Sequence, residues 1–132
     1  IYVGTKLISP INNLLVIGSK ICATEASLKE GDQATALSYM NGIRERAYGN
    51  SNHNFSTVTL YDVLEERSKE LYWECTRRTD LIRFNKFTGS DLVWSFKGGT
   101  TDGTAVDEFR SLYPLPTYDI VNNPNLSQNN GY

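Results

Sequence analysis

The sequence predicts a mainly α protein: a helical hairpin, a central charged helix, and a loop-rich C-terminal extension with little β structure. Three observations carry that reading. Apolar residues recur every three or four positions through the first third of the chain, interrupted once by Gly31-Asp32. The run from Leu60 to Phe87 shows a second apolar stripe at helical spacing among many charges. From Gly89 onward, glycine, proline and asparagine break the chain into short pieces.

Ser9-Pro10 predicts a helix start, with serine as N-cap and proline in the first turn. Leu14, Gly18, Ile21, Cys22, Glu25 and Leu28 follow at helical spacing. Gly31 stops this helix and Asp32 caps the next. Ala36, Leu37, Met40, Ile43, Arg44 and Ala47 form the second stripe, with one arginine in it. Two helices joined by so short a turn make an antiparallel hairpin. The pattern resembles a tetratricopeptide-like pair, and its alanines permit the close approach such stacking needs. Residues 49–53 (GNSNH) form a polar loop, and the lone histidine, His53, reads as a solvent-exposed loop residue.

Thr59 with Asp62 is a capping box opening the central helix, which is expected to run to about Thr76. Leu60, Val63, Leu64, Leu71 and Cys75 share one face. Stepping along that face also lands on Arg67, and a guanidinium beside a core stripe must be paired or its desolvation costs several kcal/mol. Glu70 lies three residues from Arg67, and Glu74 three from Arg77, so each pair can meet on a helix surface. Two readings follow from the residues: solvated surface pairs of small worth, or a structural ion network. Trp73 sits about 90° from the stripe by helical phase, as a flank of the core or as a contact with preceding chain. A second segment, from about Arg78 to Asn85, carries Leu81, Ile82 and Phe84 and ends at Gly89-Ser90.

Beyond it, residues 91–96 and 109–115 alternate in part and predict short strands or extended segments, paired weakly if at all. Gly98-Gly99 is no phosphate loop, since the strand–GxxxxGK[ST]–helix context is absent. Thr117 is expected to cap a short helical turn through Ile120, and Leu126 and Tyr132 are the apolar anchors by which the tail folds back.

At 132 residues the chain has room for one domain with a modest core, here divided into residues 1–48, 59–88 and 89–132. Net charge is −2, which gives no electrostatic footprint for nucleic acid. No run of eighteen apolar residues encodes a membrane-spanning helix. Cys22 and Cys75 fit neither a disulfide-dense scaffold nor a metal site; on helical stripes they read as small buried hydrophobes, with a bridge between them left open. One histidine supports no Ser/His/Asp or Cys/His set, and no ligand spacing for a metal is present. Glu66, Glu70 and Glu74 lie along one helix near arginines, which disfavour a protonated general acid, so a glycosidase is not expected. Sugar recognition uses an aromatic platform flanked by polar side chains. Trp94, near Asp91 and Lys97, is the one local arrangement of that kind, and its plain alternative is a loop tryptophan packed over the helical body.

Glu66-Arg67, Glu70-Leu71, Glu74, Arg77 and Asp80-Leu81-Ile82-Arg83-Phe84 resemble the ER..EL..E..R..DLIRF signature of SusD/RagB-type proteins. The stretch Tyr113-Pro114-Leu115-Pro116, followed by Asn123-Pro124-Asn125-Leu126-Ser127-Gln128-Asn129-Asn130-Gly131-Tyr132, resembles that family's usual ending. The resemblance covers roughly Leu15 to Tyr132 and is to the C-terminal part of such a protein. It implies a surface glycan-binding lipoprotein of a Bacteroidetes outer-membrane uptake system, without catalysis or cofactor, which passes oligosaccharide to a SusC-like TonB-dependent transporter. It also implies that the export signal, the lipid anchor and most glycan contacts lie ahead of this stretch. Here the expected role is scaffold, with Arg67, Glu70, Glu74, Arg77, Asp80 and Arg83 as its ion network. The family usually has glycine where Cys75 stands, a departure expected to widen helix packing slightly. The competing expectation is a tetratricopeptide-like adaptor that grips a protein partner through the Ile11–Tyr48 hairpin.

Overall fold

A computed structural model describes residues 10–132. They are mainly helical: α1 (Pro10–Glu30), α2 (Gln33–Tyr48), α3 (Leu60–Glu70), α4 (Arg77–Arg83) and α5 (Thr117–Asn122). The expected Ser9 cap of α1 lies outside the described residues. The chain forms two compact units, one through Arg77 and one from Arg78 to Tyr132.

In the first unit, α1 packs against both α2 and α3. The hairpin turn follows the sequence signals. Gly31 takes φ +82, a left-handed conformation that glycine adopts without a steric penalty. Asp32 then accepts a hydrogen bond from the Thr35 N–H at 3.0 Å. Bonds from Thr35, its side chain first and then its backbone, hold the Asp32 carboxyl below its ordinary value. Ile17, Ile21, Thr24, Ala36, Met40, Ile43, Val58, Val63 and Leu64 are the buried core of this unit. The hydroxyl of Thr24 is satisfied by the Lys20 carbonyl at 2.9 Å, so its burial strands no donor.

The 49–59 connection between α2 and α3 is tied to α2 by polar side chains. Asn41 donates to the Phe55 carbonyl at 3.0 Å and accepts from the Phe55 N–H at 2.8 Å. Gln33 donates to the Val58 carbonyl at 3.0 Å. His53 is an exposed loop residue, as expected, with its ring stacked on Tyr48 at 4.0 Å. The Thr59–Asp62 capping box forms in both directions: the Thr59 N–H donates to Asp62 at 2.8 Å, and the Asp62 N–H donates to the Thr59 hydroxyl at 3.3 Å.

Helix α3 is shorter than its periodicity predicts. It ends at Glu70 rather than near Thr76, because Trp73 (φ 70) and Cys75 (φ 57) take the left-handed conformation in the turn that follows. The stripe accordingly splits: Val63 and Leu64 are buried, whereas Leu60 and Cys75 are exposed. Trp73 is 84% exposed, so it does not flank the core. Both cysteines are free and exposed, against the expectation of buried small hydrophobes. Left-handed Cys75 also corrects the reading of the family glycine, whose value here is conformational freedom rather than close helix packing.

In the second unit, α4 ends at Arg83, earlier than Gly89-Ser90 suggests. Asn85 takes φ 55, and the Lys86 N–H reaches the Leu81 carbonyl at 2.7 Å, a left-handed C-terminal cap. The alternation over 91–96 and 109–115 produces no paired strands. The β pairing among the described residues is one bridge, Gly89 to Val106. Residues 97–99 and 108–111 form single tight helical turns instead. Local closure wins because each stretch lacks a neighbouring strand to complete its backbone hydrogen bonds.

The tail folds back within this unit through polar bonds. Gln128 brackets Leu115, accepting from its N–H at 2.8 Å and donating to its carbonyl at 3.0 Å. Asn129 donates to the Tyr113 carbonyl at 2.7 Å. Tyr132 stacks edge-on against Phe109 at 4.9 Å and donates its hydroxyl to the Leu112 carbonyl at 2.8 Å. Arg78 holds the same stretch from beneath: its guanidinium lies 3.9 Å from the Tyr113 ring centroid and donates to the Arg110 carbonyl at 3.0 Å.

Candidate functional site

Functional-type side chains gather in two places: between α2 and α3, where charges meet, and in a cleft of the second unit. Two carboxylates of α3, Glu66 and Glu70, pair across to α2. Glu66 is buried and takes a 2.9 Å bond from Arg44 of α2, whose side chain is itself 11% exposed. Arg44 spends its Nε on the His53 carbonyl at 2.6 Å, and its guanidinium lies 4.2 Å from the Phe55 ring centroid. Lys69 adds a bond to Glu66 at 3.2 Å from a side chain more than half exposed. Glu70 pairs with Arg46 of α2 at 2.6 Å.

Arg77 bonds the Leu64 carbonyl at 2.9 Å and Glu65 at 2.8 Å, tying the turn back onto α3. Glu74, its expected partner, is exposed in the turn, and its carboxylate meets no cation among the described residues. The physical reason is the early end of α3, after which three-residue helical spacing no longer places side chains together. Arg67 is half-buried, with a guanidinium nitrogen 3.8 Å from the Cys22 sulfur. Asp80 is buried and pairs with Arg83 at 3.2 Å, as its spacing predicts. Among the described residues of the first unit the buried cation is thus Arg44. Its position inside an apolar stripe is the signal that could have found it.

The cleft encloses about 520 Å³. Phe87, Trp94 and Phe96 supply aromatic surface, and Thr104, Asp107 and Arg110 supply polar groups. The loop that presents Trp94 is closed by its own backbone. Thr104 N–H bonds the Lys97 carbonyl at 2.9 Å, and Phe96 N–H bonds the Thr101 carbonyl at 3.3 Å. Two glycines permit the closure. A Cβ on Gly98 would meet Thr104 Cγ2 at 2.5 Å, and one on Gly103 would meet the Trp94 carbonyl at 2.1 Å.

Lys97 is buried beneath the loop. Its ammonium donates to the Gly89 carbonyl at 2.8 Å and the Leu92 carbonyl at 2.6 Å, and lies 4.9 Å from the Trp94 ring centroid. It therefore braces the platform. Asp91, the other expected neighbour, does not line the cleft. It takes a 2.9 Å bond from Lys86, and that bond, with the Lys86 charge behind it, holds its carboxyl below the usual value. Trp94 is partly exposed and lies tilted 6.3 Å from Phe87. Phe96, Asp107 and Arg110 were not singled out from the sequence, because loop closure brings them beside Trp94.

The described residues contain no group of three or more His, Cys, Asp or Glu able to hold a metal ion, and no helix long and apolar enough to cross a membrane. What the geometry offers is aromatic surface with a polar rim.

The chain belongs to the SusD family, whose model matches residues 21–132. It is 42% identical over 108 residues to the starch-binding protein SusD of Bacteroides thetaiotaomicron, covering 82% of this chain and 19% of that protein. It is 32% identical over 130 residues to SusD-like protein P25 of Formosa agariphila, covering 85% and 23%. A crystal structure of a candidate sugar-binding protein from Bacteroides vulgatus superposes with a TM-score of 0.66 at 32% identity, over 88% of this chain and 27% of that one. The chain thus spans roughly a fifth to a quarter of the length of these relatives.

Proposed function

We propose that the chain is part of a non-catalytic glycan-binding protein held by a lipid anchor on the outer-membrane surface, which delivers oligosaccharide to a SusC-like TonB-dependent transporter. The observation that carries this reading is the 42% identity to a protein named for starch binding, sustained over 82% of the chain. The motif pair Glu66–Phe84 and Asn123–Tyr132 lies inside the matched region and supports it. Within that protein, most of this stretch acts as scaffold. The buried Arg44–Glu66 pair fixes α3 against α2, and Arg46–Glu70, Arg77–Glu65 and Asp80–Arg83 add outer ties.

Native affinity electrophoresis tests the binding reading. The full-length protein is run through gels containing soluble starch, a β-glucan or a mannan. Retardation in at least one gel is the expected result. Unretarded migration in all, with capture of a peptide ligand by the α1–α2 hairpin, would replace glycan binding with the adaptor reading.

A further inference from the structure

Phe96 carries an unusual combination of properties. Its backbone is left-handed (φ 67), which a bulky residue rarely adopts, and the residue is 70% exposed to water. Burial therefore does little to offset the backbone strain. Its neighbours make the position more telling. Trp94 lies two residues before it, Phe87 adds a second ring, and all three line a cleft within the size range of small-molecule sites. Residues held in sparsely populated conformations cluster at ligand sites, where surrounding structure maintains them. Here the maintaining structure is visible: Gly98, Gly103 and the buried Lys97 lock the loop around Phe96.

We infer that this cleft is a saccharide subsite on the C-terminal unit, in which Trp94 and Phe96 stack on the apolar faces of a neutral pyranose oligosaccharide and Thr104, Asp107 and Arg110 bond its hydroxyl rim. The inference rests on the glycan-binding reading above and adds a location to it. A pyranose ring has C–H groups on its faces and hydroxyls around its edge, so it needs aromatic surface and a mixed set of donors and acceptors together. Asp107 accepts, Arg110 donates, and the Thr104 hydroxyl does either. Opposite charges on that rim suit an uncharged sugar better than an anionic one. The 520 Å³ volume admits a short oligosaccharide.

The chain has two tryptophans, Trp73 and Trp94, so each indole N–H gives a separable NMR signal. Maltoheptaose, a β-glucan hexasaccharide and a mannohexaose are titrated against the full-length protein, in which the Trp94 and Trp73 signals are assigned from Trp94→Phe and Trp73→Phe variants. With one of them the Trp94 signal is expected to shift and saturate, while that of Trp73 stays in place. Phe96→Gly is the decisive variant. Glycine accepts φ 67 freely, so the fold is kept or stabilised, yet a stacking ring is lost. Affinity is expected to fall about three- to tenfold. A Phe96→Gly protein that binds as tightly as the wild type overturns the subsite. So does an unmoved Trp94 signal in a protein still retarded by polysaccharide gels, which leaves glycan binding elsewhere in the molecule. Absence of both shift and retardation overturns the subsite together with the reading beneath it.

Discussion

Arg44→Ala is the sharpest test of how the first unit is held together. The substitution removes the 2.9 Å bond to Glu66, whose side chain is only 3% exposed, and the 2.6 Å bond to the His53 carbonyl. It also removes the cation stacked on Phe55. Breaking a buried ion pair from one side costs about 3–5 kcal/mol, because the remaining charge stays buried. Lys69 still reaches Glu66 at 3.2 Å, but from a side chain 56% exposed, so it screens the stranded carboxylate only in part. The expected loss is therefore near the low end, about 3 kcal/mol. For a chain of this length that is a fall in Tm of roughly 10 °C. The exposed pairs set the contrast: Arg46→Ala and the loss of Arg77–Glu65 should each cost about 1 kcal/mol or less. Thermal melts and urea titrations followed by far-UV circular dichroism read the difference. A double-mutant cycle with Glu66→Gln isolates the pair from other effects of truncation. If Arg44→Ala melts within about 2 °C of the wild type, or if the two substitutions add without coupling, the buried pair does not hold α3 to α2.

Four further outcomes are expected. Cys75→Gly relieves a left-handed non-glycine residue in an exposed turn and should raise stability by about 0.5–1 kcal/mol; a lower urea midpoint would show that the cysteine side chain matters more than its backbone. Gly103→Ala places a Cβ 2.1 Å from the Trp94 carbonyl at φ +77, so it should distort the cleft loop and move the Trp94 indole signal while leaving the first unit's amide spectrum unchanged. Asp32 titrates below its unfolded value, so its cap contributes fully above about pH 4 and is lost as pH falls through the lower folded value. Asp32→Asn keeps an N-cap acceptor without that charge, and the wild-type-minus-variant difference in Tm should shrink as pH drops from 5 to about 2.5; a constant difference would refute a role for the charge. Gln128→Ala removes both bonds to Leu115, so the amides of residues 113–116 and 128–132 should exchange faster with solvent than those of α4; unchanged exchange would mean that Asn129 and Tyr132 hold the tail without it.

Much of the first unit was legible because its determinants are local. Gly31-Asp32 marks a turn through the φ that glycine allows and the N–H that aspartate accepts, and both are where the residues place them. The Thr59–Asp62 box is equally local. The end of α3 was misread because periodicity continues through Leu71 and Cys75 after the backbone has already turned left-handed at Trp73. Only a backbone angle separates those cases, and side-chain pattern does not encode it. The resemblance that implies a glycine at Cys75 was the available clue, since φ 57 is a conformation glycine adopts without penalty.

The charges show the same division. Composition and spacing established that a guanidinium would sit beside a core stripe and need a carboxylate. Within a helix, partners can be counted at three and four residues, and Asp80–Arg83 follows that count. Between helices the partner depends on axial register and facing angle, so Glu66 finds Arg44 twenty-two residues away and Glu70 finds Arg46 at twenty-four. The cleft lies at the far end of that scale. Trp94 could be singled out from its type alone, but its companions Asp107 and Arg110 arrive through a loop closed by two glycines and a buried lysine. By itself the sequence determined a helical class, the Asp32 and Thr59 caps and the family, though not the start of α5, where Thr117 is the first helical residue after Pro116 and makes no side-chain cap; tertiary structure decided which charges are buried together and where aromatic and polar groups converge, because those depend on long-range contacts that no local pattern specifies.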